Sequence, residues 1–148
     1  FSFRHVYFAR INDITAGMIL AYDWYTKTRE NLNTGLLMFG KSSFYLFDKI
    51  RVLLQMNKTT GKIELGDYYI SNLAVYPEFR NRGIAHQLLT RIEMEAARIN
   101  AGRIVLDVEK DNTAAKQFYI KHGFRKTNEF IIKFYHNRII IFERMIKK

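Results

Sequence analysis

The sequence predicts a mixed α/β or α+β domain, because strand-like and helix-like patterns alternate along almost its whole length. The 148 residues suit a single domain, predicted over residues 1–148, and 48% of them are hydrophobic, which is within the globular range. The predicted order is two strands, a helical segment, strand, helix, strand, helix and a final pair of strands. No internal repeat, low-complexity run or linker interrupts this order.

The N-terminal pattern predicts a β-hairpin. Residues 3–11 and 14–22 are rich in aromatic and β-branched side chains, which favour strands. Asn12-Asp13 lies between them and is typical of a tight turn, although it lacks the glycine that such turns usually carry. From residue 24 to about residue 58 apolar residues return at helical spacing, which predicts two short helices.

The central pattern predicts a strand followed by a long amphipathic helix. Residues 68–75 form the strand, which Pro77 ends, and Gly83 precedes a helix with one apolar face over residues 84–99. Gly102 stands where a glycine commonly ends a helix.

The C-terminal pattern predicts a buried strand, a short helix and two more strands. Residues 103–108 are continuously apolar at their centre, which is typical of a strand buried on both faces. Asp111 or Asn112 can cap the helix, and Gly123 ends it. The last elements are two antiparallel strands, at residues 124–134 and 138–145.

Charge and composition narrow the function. The chain has 24 Lys and Arg residues against 14 Asp and Glu, a formal net charge of +10, which points to nucleic acid, a membrane surface or a phosphorylated small molecule. The absence of Cys excludes a disulfide scaffold, a thiol nucleophile and a Cys-ligated metal. No apolar run approaches the ~20 residues that span a bilayer, and the histidines show no ligand spacing. We therefore expect a cytoplasmic protein with neither a membrane nor a metal partner.

The segment after the central strand has the pattern of an anion site. A loop that ends in glycine at a helix start leaves backbone N–H groups unpaired, with the helix dipole behind them. Gly83 lets a phosphate approach the backbone, and Arg80 and Arg82 add positive charge. The segment is neither a Walker loop nor a three-glycine dinucleotide fingerprint. A plain helix start is the alternative.

A second segment completes a resemblance to the GNAT family, the Gcn5-related N-acetyltransferases. The first segment resembles the family's acyl-CoA motif V-x-P-x-x-R-x-x-G-x-A through Val75, Pro77, Arg80, Gly83 and Ala85. The second resembles the motif N-x-x-A-x-x-F-Y-x-x-x-G-F through Asn112, Ala115, Phe118, Tyr119, Gly123 and Phe124. Both motifs occur in the family's order and spacing. The likeness is nearest to ribosomal-protein alanine N-acetyltransferases.

The resemblance implies the GNAT fold: a central mixed, mostly antiparallel sheet with flanking helices, splayed between strands 68–75 and 103–108. The chain departs from the family pattern in two ways. The chain begins at what resembles the family's second strand, so we expect the first strand and a helical pair to lie outside it. A helical insert, residues 23–66, separates the family's third and fourth strands. We expect it to pack onto the domain. The alternatives are a wall of the acceptor pocket, a cover for the open edge strand or a homodimer contact.

The resemblance also implies acetyl-CoA as co-substrate and no metal. Backbone amides of residues 80–85 would cradle the pyrophosphate, and the backbone of residues 73–75 would pair with the pantetheine arm. Asn112 would form a hydrogen bond with the cofactor, although it could serve only as a helix cap. The implied cofactor-binding residues are Leu73, Ala74, Val75, Arg80, Asn81, Arg82, Gly83, Ile84, Ala85, Asn112, Ala115 and Phe118.

Three residues are candidates for the chemistry. The resemblance implies that Tyr119 protonates the departing thiolate, although a core aromatic is its alternative. Asp107 is the first candidate for the general base, because it matches an acidic position in ribosomal-protein alanine N-acetyltransferases. Glu109 is the second; both lie on one face of a strand, so their spacing does not separate them.

The implied function is transfer of acetyl from acetyl-CoA to a primary amine, by direct attack within a ternary complex. The acceptor could be a protein N-terminus, a lysine, a polyamine or a small metabolite, and the basic surface disfavours a cationic one. A longer acyl-CoA, a GNAT-like CoA-binding regulatory module and a basic nucleic-acid-binding protein without catalysis are the alternatives. The last lacks any helix-turn-helix, RNP motif or zinc finger to support it.

Overall fold

The computed structural model describes residues 5–29, 63–132 and 137–146. Within them six strands form one sheet in the order β1-β2-β3-β4-β6-β5. The strands are β1 (Val6–Ile11), β2 (Ile14–Asp23), β3 (Asp67–Val75), β4 (Arg103–Glu109), β5 (Arg125–Ile132) and β6 (Asn137–Met145). All neighbours are antiparallel except β3 and β4. The predicted mixed, mostly antiparallel sheet is confirmed.

The hairpin of β1 and β2 forms as predicted, without a glycine. Asn12 and Asp13 have φ angles of 48° and 64°, both in the left-handed region. Asn and Asp tolerate this region because their short polar side chains form local hydrogen bonds, so a two-residue turn matches the strand twist. Ile11 and Ile14 form the closing pair.

The chain turns into a helix immediately after β2. Residues 24–29 are helical. Asp23 caps them, because its Oδ1 accepts a hydrogen bond from the N–H of Thr26 (2.8 Å). Of the predicted 23–66 insert, residues 30–62 lie outside the described residues, and so does the second of the two short helices. The connection between the last two strands, at residues 133–136, also lies outside them.

Two helices cover one face of the sheet. They are α1 (Ile84–Arg98) and α2 (Thr113–Lys121). Apolar side chains of α1 such as Leu89 and Ile92 are fully buried, in one cluster with Leu106 of β4 and Tyr119 of α2. Burying one such aliphatic side chain stabilises the fold by about 1.5–3 kcal/mol. No helix in the described part of the chain has the length and apolar character to cross a membrane.

The end of α1 corrects one sequence prediction. Asn100 takes the left-handed conformation after the helix (φ 56°), and the N–H of Ala101 bonds to the carbonyl of Ala96 (2.9 Å). Gly102 was therefore the wrong helix-ending residue, because Asn also tolerates that conformation. Gly102 instead donates its N–H to the carbonyl of Gly66 (2.8 Å). Gly123 ends α2 with a φ of 80°, as predicted.

A one-residue bulge interrupts β3. Leu20 pairs with Asn72 and Ala21 with Ile70, so Ser71 has no partner residue on β2. Before the bulge Tyr68 and Ile70 point into the core, whereas after it Leu73 and Val75 pack against the core. One extra residue shifts the alternation of side chains by one position. Even-numbered residues of β3 therefore face the helices before the bulge, and odd-numbered residues face them after it.

The parallel pairing of β3 and β4 is short. It runs from Asp67 opposite Arg103 to Ile70 opposite Leu106, and ends there, next to the bulge. Beyond it β3 continues to Val75 paired with β2 alone, and β4 continues to Glu109 paired with β6 alone. The splay expected between these two strands is therefore present.

The paired end of β3 and β4 is closed by an ionic network around Arg103. The Arg103 guanidinium contacts Asp67 Oδ1 (2.6 Å), Glu64 Oε2 (2.6 Å) and Glu143 Oε2 (2.9 Å). Asp67 is 4% exposed, whereas the Glu64 side chain is 79% exposed. The hydrogen bond to Asp67 is the main reason that the pKa of Arg103 is raised above its ordinary value.

Replacing Asp67 with Asn is expected to lower the free energy of unfolding by about 3 kcal/mol, because it leaves a guanidinium without its buried counter-charge. Glu64→Gln is the matched control on the same guanidinium. It is expected to cost less than about 1 kcal/mol, since the Glu64 carboxylate is itself exposed to solvent. Urea unfolding of both variants measures the difference, and equal losses would contradict the assignment of Asp67 as the principal partner.

Candidate functional site

The splay opens a gap in the middle of the sheet. On one side lies the edge of β3 from Ser71 to Val75, and on the other lies β4 from Asp107 to Glu109. These stretches face each other without strand pairing in the described structure. An unpaired strand edge presents backbone donors and acceptors that an extended ligand can bind as an added strand.

The loop after β3 leads to a helix start with unused backbone donors. A short 3₁₀ helix, Pro77–Phe79, is followed by Asn81 (φ 59°) and Gly83 (φ 77°), both left-handed. Gly83 is the N-cap of α1 and provides no side-chain cap. The first backbone N–H to bond along the helix is that of Gln87, to the carbonyl of Gly83 (3.0 Å). The preceding N–H groups at this helix start can therefore receive an anion.

Two arginines are held beside this helix start. Arg80 Nε donates a hydrogen bond to the carbonyl of Val75 (3.2 Å). The Arg82 guanidinium lies 5.7 Å from the ring centroid of Phe79. Both side chains are exposed. The loop therefore combines aligned backbone donors with two positive charges, as the sequence predicted for an anion site.

The structure limits how the other predicted residues of this segment can contact a ligand. Ile84 is 4% exposed and lies in the core, so its backbone N–H is the part that can face the loop. Leu73 and Val75 also pack against the core with their side chains. Ala74 and Asn81 are exposed, and Ala85 is half-buried.

The start of α2 is fixed by Asn112. Its Oδ1 accepts a hydrogen bond from the N–H of Ala115 (3.0 Å), so the predicted helix cap is present. The side-chain N–H₂ group is its remaining donor. Ala115 and Phe118 are half-buried and pack against the core.

A histidine pair joins the two helices of the cofactor motifs. His122 Nδ1 donates to the carbonyl of Phe118 (2.7 Å), so its Nε2 accepts from His86 Nδ1 (3.0 Å) in the neutral pair. Their ring centroids are 5.0 Å apart. No group of three or more acidic, His or Cys side chains in the described ranges is arranged to hold a metal ion.

Tyr119 is buried in the core, on the face of the sheet that the helices cover. It is 6% exposed, and its ring meets that of Phe124 edge-on at 5.3 Å between centroids. Burial raises the pKa of its phenol above the ordinary value, so the group stays protonated at neutral pH. A buried phenol of this kind can act as a proton donor.

Asp107 is on the opposite face of the sheet, in contact with Tyr69. Ile104, Leu106 and Val108 of β4 point into the core, so the alternate residue Asp107 faces away from the helices. The Tyr69 hydroxyl donates a hydrogen bond to Asp107 Oδ2 (3.1 Å). Burial, followed by the negative charge of Asp107, raises the pKa of Tyr69. This phenol is therefore a donor to the carboxylate rather than a base.

Glu109 differs from Asp107 in its exposure to solvent. It is the last residue of β4 and is exposed, whereas Asp107 is half-buried. The sequence could not choose between the two carboxylates. Burial and the Tyr69 contact now distinguish Asp107 from Glu109.

The side of the gap that Asp107 occupies includes two further groups that the sequence analysis did not select. The ring of Tyr22 lies 5.6 Å from that of Tyr69, and Lys27 Nζ lies 5.3 Å from the Tyr69 ring centroid. Both Tyr22 and Lys27 are half-buried. Strand alternation in β2 and β3 could have indicated the two tyrosines, but nothing local to residue 27 indicated the lysine.

Sequence comparison gives the family and several curated relatives. The model of the acetyltransferase (GNAT) family matches residues 2–124. An uncharacterized N-acetyltransferase of Methanocaldococcus jannaschii is 35% identical over 78 residues. That match covers 52% of this chain and 49% of the relative, so the chain spans about half the length of the curated relative.

Structural comparison gives the same fold. The ribosomal-protein-S18-alanine N-acetyltransferase of Escherichia coli superposes with a TM-score of 0.60 at 15% identity, covering 97% of this chain and 69% of that one. A Bacillus anthracis protein assigned as a streptothricin acetyltransferase was solved with acetyl coenzyme A. It superposes with a TM-score of 0.62 at 16% identity, covering 95% of this chain and 61% of that one. At these identities the likeness concerns the fold. With the family match over most of its length, the chain belongs to the GNAT family of acetyltransferases.

Proposed function

We propose that this protein transfers acetyl from acetyl-CoA to a primary amine, by direct attack of the amine within a ternary complex. The observation that carries the proposal is the gap between β3 and β4. The helix face of the sheet carries a buried phenol, Tyr119, and the opposite face carries a carboxylate at the β4 side of the gap, Asp107, in contact with Tyr69. A proton donor and a proton acceptor flanking an open strand edge suit acyl transfer from a thioester.

The described residues fit the proposed cofactor. A Cβ built on Gly83 would meet no atom within 4 Å, so the space beside the helix start is open to a phosphate. The N–H groups of residues 80–85, with Arg80 and Arg82, would hold the pyrophosphate. The open edge of β3 would hold the pantetheine arm. Asn112, Ala115 and Phe118 would contact it from α2. When bound, acetyl-CoA supplies an acyl group activated as a thioester, from which the thiolate of coenzyme A is a good leaving group.

Each catalytic candidate then has one proton to handle. Asp107 would take a proton from the acceptor nitrogen, directly or through water. Tyr69 would hold the carboxylate in place through its 3.1 Å hydrogen bond. Tyr119 would donate its phenolic proton to the departing sulfur. Backbone N–H groups at the β3 edge would stabilise the negative charge that develops on the carbonyl oxygen.

The acceptor is proposed only as far as its reacting group, a primary amine. The E. coli neighbour acts, by its name, on an alanine of a ribosomal protein, and the B. anthracis neighbour is named for streptothricin. Protein N-termini, lysines, polyamines and small amines therefore all belong in the test. A cytoplasmic location and a homodimer remain expectations from the sequence.

An acceptor screen on the protein tests the function. Released coenzyme A thiol is followed while peptides with different N-termini, lysine peptides, polyamines and small amines are added to acetyl-CoA. We expect thiol release with at least one class of primary amine. Absence of acetyl-CoA binding by calorimetry, together with salt-dependent DNA binding, would overturn the proposal.

Replacing Gly83 with Val is expected to weaken acetyl-CoA binding by about tenfold or more, which is about 1.4 kcal/mol or more. The new side chain would occupy the open space beside the helix start, and the left-handed backbone would be strained by about 1–2 kcal/mol. Gly66→Val is the matched control. Gly66 has a φ of +92° and also has no neighbour within 4 Å of a built Cβ, but it lies at the closed end of the sheet. Equal affinity of the two variants, measured by calorimetry, would contradict the phosphate placement.

A further inference from the structure

The amine of Lys27 lies beside the proposed reaction site. Its Nζ is 5.3 Å from the ring centroid of Tyr69, and the hydroxyl of that same ring donates to Asp107. The negative charge of Asp107 also acts on Lys27, as it does on Tyr22. The lysine amine, the aromatic pair and the carboxylate therefore share the face of the sheet away from the helices.

The backbone around Lys27 is anchored to the sheet. Asp23, the last residue of β2, pairs with Tyr68 of β3 and caps the helical turn of residues 24–29. Within that turn Thr28 Oγ1 donates to the carbonyl of Trp24 (2.9 Å). The turn thus starts beside the strand that carries Tyr69, which fixes where the lysine stem begins.

The surroundings of Lys27 suit an amine nucleophile. The side chain is half-buried, and burial lowers its pKa below the ordinary value, although the charge of Asp107 opposes the change. Lowering the pKa of an amine increases the fraction present as the neutral nucleophile at neutral pH. The group that opposes the shift is the carboxylate proposed to accept the proton.

We infer that Lys27 is itself an acetyl acceptor of this site, so that the protein acetylates its own Nζ. The inference rests on the proposed function. The Lys27 nitrogen forms a bond to the acyl carbon of the thioester, and the carbon–sulfur bond breaks. One N–H proton passes to Asp107, and the departing sulfur takes the proton of Tyr119. The products are Nζ-acetyl-lysine and coenzyme A, so acetyl-CoA is the only co-reactant.

Acetylation removes the positive charge that lies over Tyr69. A neutral amide no longer makes a cation–π contact with the ring, and it is too weak a nucleophile to react again. Once Lys27 is acetylated, an amine from a separate acceptor molecule would be the one left to react at this site. Each molecule would therefore be modified once at this position.

The test is incubation of the protein with acetyl-CoA and no added amine, followed by peptide mapping by mass spectrometry. We expect Lys27 to gain one acetyl group about 100-fold faster than exposed lysines such as Lys121, the low end of what a positioned base contributes. Lys27→Arg should abolish that modification, whereas Lys121→Arg should leave it unchanged. Asp107→Asn should slow it by a similar factor of about 100.

The outcomes separate this inference from the proposed function. Equal labelling of Lys27 and Lys121, or labelling of Lys27 that Asp107→Asn does not slow, indicates uncatalysed chemistry and overturns the inference. Thiol release with an added amine while Lys27 stays unmodified also overturns it and leaves the proposed function standing. No thiol release with any amine and no modification overturns both.

Discussion

Tyr119→Phe is expected to lower kcat by about 100-fold, the low end of what a positioned proton donor contributes, with little change in acetyl-CoA affinity. The substitution removes the hydroxyl and keeps the ring that packs against Phe124. Without the phenol, the sulfur must leave as an unprotonated thiolate or take its proton from water. Steady-state kinetics with calorimetry of acetyl-CoA binding measures both quantities.

Tyr68→Phe provides a matched control for that experiment. Tyr68 is also 6% exposed, and burial likewise raises the pKa of its phenol, but it faces the core at the paired end of β3. We expect its removal to leave kcat unchanged. An unaltered kcat in Tyr119→Phe, or an equal fall in both variants, would exclude the acid role.

The direction of the Tyr119 pKa shift gives a pH dependence. A proton donor is active while it is protonated, and burial raises the pKa of Tyr119 above that of an ordinary tyrosine. The rate is therefore not expected to fall through loss of this proton below about pH 10, the ordinary value for tyrosine. A wild-type limb that falls near pH 8 and is absent from Tyr119→Phe would show that Tyr119 loses its proton there, and would contradict the raised pKa of its phenol.

Asp107→Asn is expected to lower kcat/KM by about 100-fold, because the amide cannot accept the proton of the acceptor nitrogen. Glu109→Gln is the control, a choice for which the sequence alone gave no reason because both carboxylates were candidates. Glu109 is exposed at the end of β4 and is expected to tolerate the change within about threefold, as a surface side chain outside the site does. A large loss in Glu109→Gln with a small one in Asp107→Asn would move the base to Glu109.

Tyr69→Phe tests how Asp107 is held. The Tyr69 hydroxyl donates to the carboxylate, and a hydrogen bond to the charged form favours that form. Without the donor, the carboxylate is protonated at higher pH. The acid limb of the kcat/KM profile is therefore expected to move to higher pH. A variant that loses rate equally at every pH would show a merely structural role for Tyr69.

The order of elements and the loop that precedes α1 could be predicted from the sequence because their signals are local. Pro77 and Gly83 mark the end of a strand and the start of a helix within a few residues. The Asn12-Asp13 turn was predictable from residue type as well. The one error at a helix end, Gly102 instead of Asn100, arose because two residues that tolerate the left-handed region lie close together.

The features that distinguish the candidate site depend on contacts that are distant in sequence. Tyr69 and Asp107 are 38 positions apart and meet only because β3 and β4 are neighbours in the sheet. The bulge at Ser71 had one visible trace, the change from even to odd apolar positions between Ile70 and Leu73. Propensity does not assign such a shift to a particular residue. Lys27 belongs to a segment outside the family motifs, so its placement required the structure.

The short β3–β4 pairing also bears on how the protein folds. Each half of the sheet, β1-β2-β3 and β4-β6-β5, contains only antiparallel pairs, and the two halves join through four residue pairs between segments 36 positions apart. The β2–β3 and β4–β6 pairings also join distant segments, whereas the β1–β2 and β5–β6 hairpins are local. Closing long distances costs chain entropy, which the two local hairpins do not pay. An intermediate with these hairpins formed and β3 not yet joined to β4 would have strand content but no aligned Asp107 and Tyr69. Recovery of acetyl transfer during refolding would then report completion of the sheet, a later event than the first recovery of secondary structure.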